Sequence, residues 1–358
     1  MYIYSMLHNG TALDYSLRGE AMNQPGLFDY SKRLARIDNV GDPLAKLNEV
    51  IDWEQFRKLI DLSREKPRKS PAGAKGYDSI LMFKVLIIQA LYNLSDEKLE
   101  FQILDRYSFS RFLGIREGDK VPDSTTIFRF REELAKSNII EILFTQFDQF
   151  LRDNGFRAQK GQIVGASIVR VPIQRNTRDE NKEIKAGKKI KSWSTAKKNQ
   201  KDIDVRWTKK NGKSYFGYKN HISVDVGYKF IRSYEVTDAS VHDSRVFTDL
   251  LDPCNTSRDV WADSAYRSEE SLTELKIQGF REHIQRKGSR KKKLTKREQQ
   301  GNRTRSRIRS RVEHIFGVQA MRTGGTLLRG IGFIRIIAKI GLRNMAFNLT
   351  RYVQLVTT

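Results

Sequence analysis

Near Gly161 the hydrophobic pattern of this chain changes period, and that change limits the folds open to it more than any other feature. Upstream, apolar residues recur at helical spacing. Leu44, Leu47, Val50, Ile51 and Phe56 form one series within residues 42–62. Ile80, Leu81, Val85, Ile88 and Leu91 form a broader stripe that Leu99, Ile103 and Leu104 continue after Ser95-Asp96. Downstream, Ile163-Val164 and Ile168-Val169 make a β-branched run ended by Pro172, which reads as a strand buried in a sheet. Helices first and a sheet afterwards place an all-α domain ahead of an α/β domain with a mixed sheet.

The expected boundaries follow from that pattern. Residues 1–22 carry little periodicity and receive no role; residues 23–155 make the helical domain, with a linker near 66–76 where Lys-Pro-Arg-Lys-Ser-Pro ends the first helical series. Residues 156–350 make the α/β domain, with a basic insertion or long loop around 175–213. Strand signals at 213–219, 221–226 and 230–236 suit three antiparallel strands, the last two joined by a hairpin turn at Gly227-Tyr228. A helix opening at Asp243-Ser244, a strand Asp259–Ala262 and a helix over 268–278 come next. This β-β-β-α-β-α order is that of an RNase H-like fold, which resembles several phosphoryl-transfer nucleases. The last helix, from Ile334 onward, is expected to turn Ile334, Ile337, Ala338, Leu342 and Met345 inward and Arg335, Lys339 and Arg343 outward.

Charge points to the partner. Lys and Arg outnumber Asp and Glu 66 to 42, a formal net charge of +24, and such an excess repels itself unless a polyanion neutralises it. Nucleic acid is the expected partner, ahead of an anionic membrane surface or a merely solvated basic exterior. The longest apolar stretch, 331–349, is broken by Arg335, Lys339 and Arg343, too short and too charged for a membrane span. With no export signal at the N-terminus, a cytoplasmic location is expected. One cysteine, Cys254, and five scattered histidines exclude an internal disulfide and a zinc cluster.

Two basic runs are candidate tracks for a DNA backbone, one containing Lys209 and Lys210, the other Arg290, Lys291, Lys292 and Lys293. The alternative is a solvated face. Trp193, Trp207 and Tyr215 interleave with the first run, either to stack on unpaired bases or to anchor the insertion. Residues 121–131 begin with a cap candidate, Asp123 or Ser124, and then set Arg129 and Arg131 on the first turns of a helix. A recognition helix presents such residues to a DNA groove; an ordinary amphipathic helix has the same pattern.

Two carboxylates stand out. Asp263 ends a short apolar strand, a position that suits either a functional group or a cap for the following turn. Glu313 follows Arg309 by one helical turn, which alone is a surface pair contributing a few tenths of a kcal/mol. In two-metal phosphoryl transfer, carboxylates from distant elements converge on two Mg²⁺ ions about 3.5–4 Å apart.

Five segments occur together in order: Ile163-Val-Gly-Ala-Ser-Ile-Val169, Gly217-Tyr-Lys-Asn-His221, Thr237-Asp-Ala-Ser-Val-His-Asp-Ser244, Trp261-Ala-Asp-Ser-Ala-Tyr266 and Arg311-Val-Glu-His-Ile-Phe-Gly317. Together they resemble the DDE transposases of bacterial insertion-sequence family five, over about residues 23–350. The resemblance implies DNA binding and oligomerisation by the helical domain and catalysis by the second. It makes Asp263 the second catalytic Asp and Glu313 the catalytic Glu, both ligands of a Mg²⁺ pair, with Arg309 the basic residue one turn earlier. It implies double-stranded DNA as partner, at terminal inverted repeats and target, and a homo-oligomer on paired ends. The reaction would be hydrolysis at the element's ends, then attack of the freed 3′ hydroxyl on target DNA.

The first catalytic Asp of that family opens an Asp-Ala-Ser or Asp-Ala-Thr motif on the first strand, and here Gly165 stands in its place. Glycine offers no ligand, so metal binding and positioning of the nucleophile are expected to suffer, and Arg170 is expected to add positive charge nearby. Two readings follow: an impaired transposase, or an inactive transposase-derived DNA-binding protein or repressor. Asp225 is the candidate substitute carboxylate, unless it serves the turn at Gly227; Asp243 is read as a helix cap.

Overall fold

The computed structural model describes residues 29–65, 76–187, 193–289, 293–322, 325 and 327–357. The extension 1–22 and the expected linker, apart from Gly76, lie outside them. Helix α1 (Asp29–Val40) belongs to a compact unit ending at Asp42, and residues 43–358 form a second unit.

Its first part is helical: α2 (Pro43–Val50), α3 (Arg57–Arg64), α4 (Ser79–Tyr92), α5 (Asp96–Asp105), α6 (Tyr107–Leu113), α7 (Ser124–Lys136) and α8 (Ile139–Asp153). The series read over 42–62 is broken, because Asp52 accepts a hydrogen bond from the Glu54 amide and starts a 3-10 turn, Trp53–Phe56, ahead of α3. That turn delivers Trp53 and Phe56 to an aromatic cluster with Phe83 and Phe112. Helix α4 supplies the centre of this core: Phe83, Val85, Leu86, Ile87 and Ile88 are all fully buried.

Six strands follow: β1 (Gln162–Arg170), β2 (Arg206–Lys210), β3 (Lys213–Asp225), β4 (Ile231–Asp238), β5 (Asp259–Ala262) and β6 (Arg281–Ile284). They form one mixed sheet in the order β2-β3-β1-β5-β6, with β4 also paired to β3. β3 runs antiparallel to β1, β2 and β4, whereas β5 and β6 run parallel to their neighbours. Helix α11 (Glu269–Ile277) connects β5 to β6, and α12 (Lys296–Arg322) and α13 (Phe333–Val356) follow. A helical N-terminal region followed by this mixed sheet is the RNase H-like architecture.

Several expectations need correction. The signals at 213–219 and 221–226 are one continuous strand, because Asn220 between them is buried, level with Ser167 of β1 and bonded to Asn344, and Gly217 within it marks a close approach to β1. A Cβ there would lie 2.1 Å from the Val169 carbonyl oxygen of β1. The third antiparallel partner is β2, inside the stretch read as a loop. That stretch also folds as α9 (Arg178–Lys185) and α10 (Thr195–Gln200), and Trp193 anchors it by packing on Ile184 and donating from Nε1 to Glu180 at 2.8 Å. Trp207 is half exposed, with its ring 5.0 Å from Phe216. The helix expected at Asp243 is a pair of 3-10 turns, Asp243–Val246 and Thr248–Leu250, and His242 supplies the cap. Strand β6 escaped notice because its four residues are largely polar; they suit an edge where Arg281 and His283 both bond Asp259.

Helix α13 departs most from a one-sided pattern. Ala338, Leu342 and Met345 are buried as expected, yet Arg343 is only 6% exposed and Ile334 is 56% exposed. The helix runs between α4, α7 and α8 on one side and β4 on the other, so little of it meets water. Its Asn344 exchanges hydrogen bonds with Asn220 of β3 and accepts one from Gln319 of α12, while Asn348 bonds both backbone groups of Ile231. Through these amides α13 holds the sheet in a fixed relation to the helices. Among the described residues no single helix is long and apolar enough to cross a membrane.

Candidate active site

In the parallel pair β1/β5, Gln162 is level with Val260 and Ile163 with Trp261. On β1 the period-2 alternation turns Gly165 to the face that holds Ile163, and Asp263 directly follows Ala262, the last residue of β5. Helix α12 crosses that face, where Val312 and Ile315 join Ile163 and Trp261 in the core. A Cβ at Gly165 would lie 3.0 and 3.1 Å from the two Val312 methyls and 3.5 Å from the Phe316 ring. Glu313 is therefore the next residue on the turn of α12 that covers position 165. Its exposed carboxylate accepts from Arg309 Nη1 at 2.8 Å. Asp263 is partly buried; its Oδ1 accepts from the Ala265 amide at 3.2 Å and the Ser264 hydroxyl at 3.0 Å, which starts the 3-10 turn Ser264–Tyr266.

Tyr266 ties the remaining motifs to this place. Its ring packs 5.2 Å from Phe247, and its buried hydroxyl has no hydrogen-bond partner among the described residues. Burial pushes that phenol well above its ordinary pKa; the charges of Asp243, Asp263 and Glu313 push the same way, and Arg309 opposes them. One hydroxyl thus lies within the field of four charged groups, three of them from three different motifs and the fourth Arg309. Asp243 is held by Lys219 at 2.7 Å, and Lys219 also donates to the Val241 carbonyl at 2.7 Å. His221 is buried two residues along β3, with Nε2 2.9 Å from Thr237 Oγ1. Burial lowers its pKa to about 4, with Asp243 opposing and Lys219 assisting. The Tyr266 hydroxyl, Arg309 Nε and His221 Nδ1 are buried polar atoms without a partner among the described residues. Such atoms are rare in folded proteins; the Tyr266 hydroxyl and Arg309 lie close to the motif carboxylates, where substrate could supply the missing bonds, whereas His221 is level with Ala166 and faces the other side of the sheet from Gly165.

Other sequence candidates lie elsewhere. Asp225 is consumed: its Oδ1 accepts from Arg232 at 2.9 Å and the Phe230 amide at 3.1 Å, and its Oδ2 accepts from the Tyr228 amide at 2.7 Å. It serves the turn and cannot stand in for residue 165. Arg170 is five residues beyond Gly165 on β1, roughly 16 Å away at strand rise and on the opposite face, so its charge does not fall on that position. Arg131 is corrected too. It is 4% exposed and sealed by Asp96, at 2.6 and 2.8 Å, and Gln89, at 2.8 Å, so it cannot reach a DNA groove. Arg129, Lys209, Lys210 and Lys293 are exposed; Arg290, Lys291 and Lys292 lie outside the described residues. Lys219, His221 and Tyr266 carried a readable signal as polar residues inside the five motifs, but spacing alone did not reveal that they converge.

The residues present do not fit a two-metal centre. Among the described residues no three His, Cys, Asp or Glu side chains are grouped so as to hold a metal. Position 165 has no ligand, and the Glu313 carboxylate is engaged by Arg309.

Comparison with known proteins places this site in a family. The model of the transposase DDE domain matches residues 171–349, half of the chain, and that of a second transposase domain (DUF772) matches residues 32–133. The chain belongs to the DDE transposases, a family of enzymes that cut and transfer DNA. The first match starts one residue after β1, so Gly165 stands outside it. A chain from the cryo-EM structure of a piggyBac transposase synaptic complex with hairpin DNA is similar at 14% identity and a TM-score of 0.44, covering 90% of this chain and 77% of that one.

Proposed function

We propose that this chain is the transposase of a bacterial insertion sequence of family five, which binds the element's terminal inverted repeats as a homo-oligomer, and that this copy is impaired in strand cleavage. In this reading Asp263 and Glu313 are the catalytic carboxylates, Arg309 sets the geometry of Glu313, and Gly165 leaves vacant the first carboxylate of a Mg²⁺ site. What carries the reading is that Asp263 directly follows β5, the parallel neighbour of the strand that holds Gly165, and that the Val312-Glu313 turn of α12 covers position 165. The helices up to residue 155 serve end recognition, with Arg129 exposed on α7, while Lys209, Lys210, Lys293 and the neighbouring Arg290, Lys291 and Lys292 follow the phosphate backbone. The missing side chain at 165 also favours a second reading, a DNA-binding protein without catalysis that represses an active relative.

Both readings require specific DNA binding. Titrating the protein with a labelled duplex carrying the element's end and with a scrambled duplex is expected to show preference for the end sequence. Affinity should fall steeply with salt, the logarithmic slope being about 0.9 per phosphate contact. Equal affinity for both duplexes at every salt concentration would overturn end recognition.

A further inference from the structure

Away from the carboxylates, a cleft of about 710 Å³ opens where the start of α5, the middle of α7, the segment after β1, the end of α10 and the chain leading into α13 meet. Six cations, Arg131, Arg175, Lys201, Arg329, Arg335 and Lys339, line it against two carboxylates, Asp96 and Glu97. Asp96 is already taken by Arg131 and Arg335 by Glu132, while Lys201 donates to the Arg175 carbonyl and Lys339 to the Arg329 carbonyl. Arg175 and Arg329 are exposed. Apolar surface lies among these charges: Ile173 is 68% exposed, and Phe128 is 40% exposed with the guanidinium carbons of Arg131 and Arg335 each 5.8 Å from its ring centre. An exposed aromatic ring surrounded by cations is the composition of a site for unpaired nucleic acid, in which the ring stacks on a base and the cations hold phosphates.

Size selects the form of the ligand. The volume lies within the range of about 300–1,000 Å³ typical of pockets for small ligands; it suits a few nucleotides and is far too small for a duplex. Its position suits an active-site neighbour. Pro172 at its edge is seven residues past Gly165, roughly 23 Å along the strand direction, a span that DNA covers in about seven base pairs at 3.4 Å each.

We propose that this cleft binds an unpaired DNA strand, with a base on Phe128 and phosphates on Arg175, Lys201 and Arg329, so that one DNA end engages both the carboxylate face and the cleft. This rests on the transposase reading. It also gives a role to α7, which the sequence marks as a recognition helix but which buries Arg131.

The test uses the full chain and two fluorescent probes, a blunt duplex carrying the element's end and the same duplex with a five-nucleotide single-stranded overhang. The unmodified protein is expected to bind the overhang probe more tightly. Phe128→Leu and the double variant Arg175→Gln/Arg329→Gln should each weaken overhang binding about tenfold or more and leave blunt-duplex binding within twofold, and the double variant should lower the salt slope by about 1.4. All three residues are partly or fully exposed, and unchanged thermal melting will show that the variants fold. If the unmodified protein binds neither probe, the transposase reading falls and the cleft with it. If it binds both and the variants match it on the overhang probe, the cleft alone is overturned; an equal loss on both probes overturns its selectivity for unpaired DNA.

Discussion

At the scale of single residues, a buried ionic network accounts for Asp225 better than catalysis does. Arg232 joins Asp225 to Asp148, and Arg152 joins Asp148 to Asp252. Breaking a buried pair leaves an uncompensated charge, which costs about 3–5 kcal/mol. Arg232→Met should therefore lose stability of that order in urea denaturation, whereas a loss under 1 kcal/mol would show that the network is hydrated. His221 gives a pH signature. Its folded pKa of about 4 lies below the ordinary 6.5, so between those values the unfolded chain binds the extra proton. Stability is complete above about pH 6.5 and should fall by on the order of 3 kcal/mol as pH drops to 4. His221→Gln should flatten that part of the profile; an unchanged acid limb would assign it to other groups. The turn role of Asp225 was legible beforehand as one alternative; the ionic network and the burial of His221 were not, because they depend on elements distant in sequence.

At the scale of elements, the period of the hydrophobic pattern gave the boundaries of β1, β5, α11 and α13 closely, since each is bounded by a proline, cap or apolar run that acts locally. It misread β3 as two strands and 175–213 as a loop. The reason is tertiary. The split at Asn220 follows from its polar side chain, which burial against Asn344 keeps inside the strand, while Gly217 lies where β1 approaches closely; the basic insertion is held by pairing of β2 with β3, by Trp193 and by a capping box. Gly217→Ala should thus destabilise by at least the upper part of the 1–3 kcal/mol typical of overpacking, measured by thermal melting. A melting temperature within a degree of the parent would contradict the close approach. The inward face of α13 was readable only in part because both sides of that helix are covered.

At the scale of the whole molecule, +24 of formal charge and a face carrying the motif residues are two parts of one account. In the proposed reading the basic surface holds DNA, and the sheet edge carries the site that would cut it. Asp263, Glu313 and Gly165 were singled out as candidates by the resemblance alone; their surroundings, and the approach of Lys219, His221 and Tyr266 to Asp243, needed the folded chain. Lys209→Gln/Lys210→Gln should lower the logarithmic salt slope of duplex binding by about 1.8 with little change in end preference, and an unchanged slope would remove β2 from the DNA track. Restoring Asp at 165 requires Val312 to yield a few tenths of an ångström, so Val312→Ala is a useful companion change.

The most direct test is nicking of a labelled duplex carrying the element's own ends, in Mg²⁺, by the unmodified protein, by Gly165→Asp with and without Val312→Ala, and by each of these with Asp263→Ala added. The account predicts no cutting by the unmodified protein, cutting by the Gly165→Asp forms, and its loss when Asp263→Ala is added; cutting by the unmodified protein would contradict it.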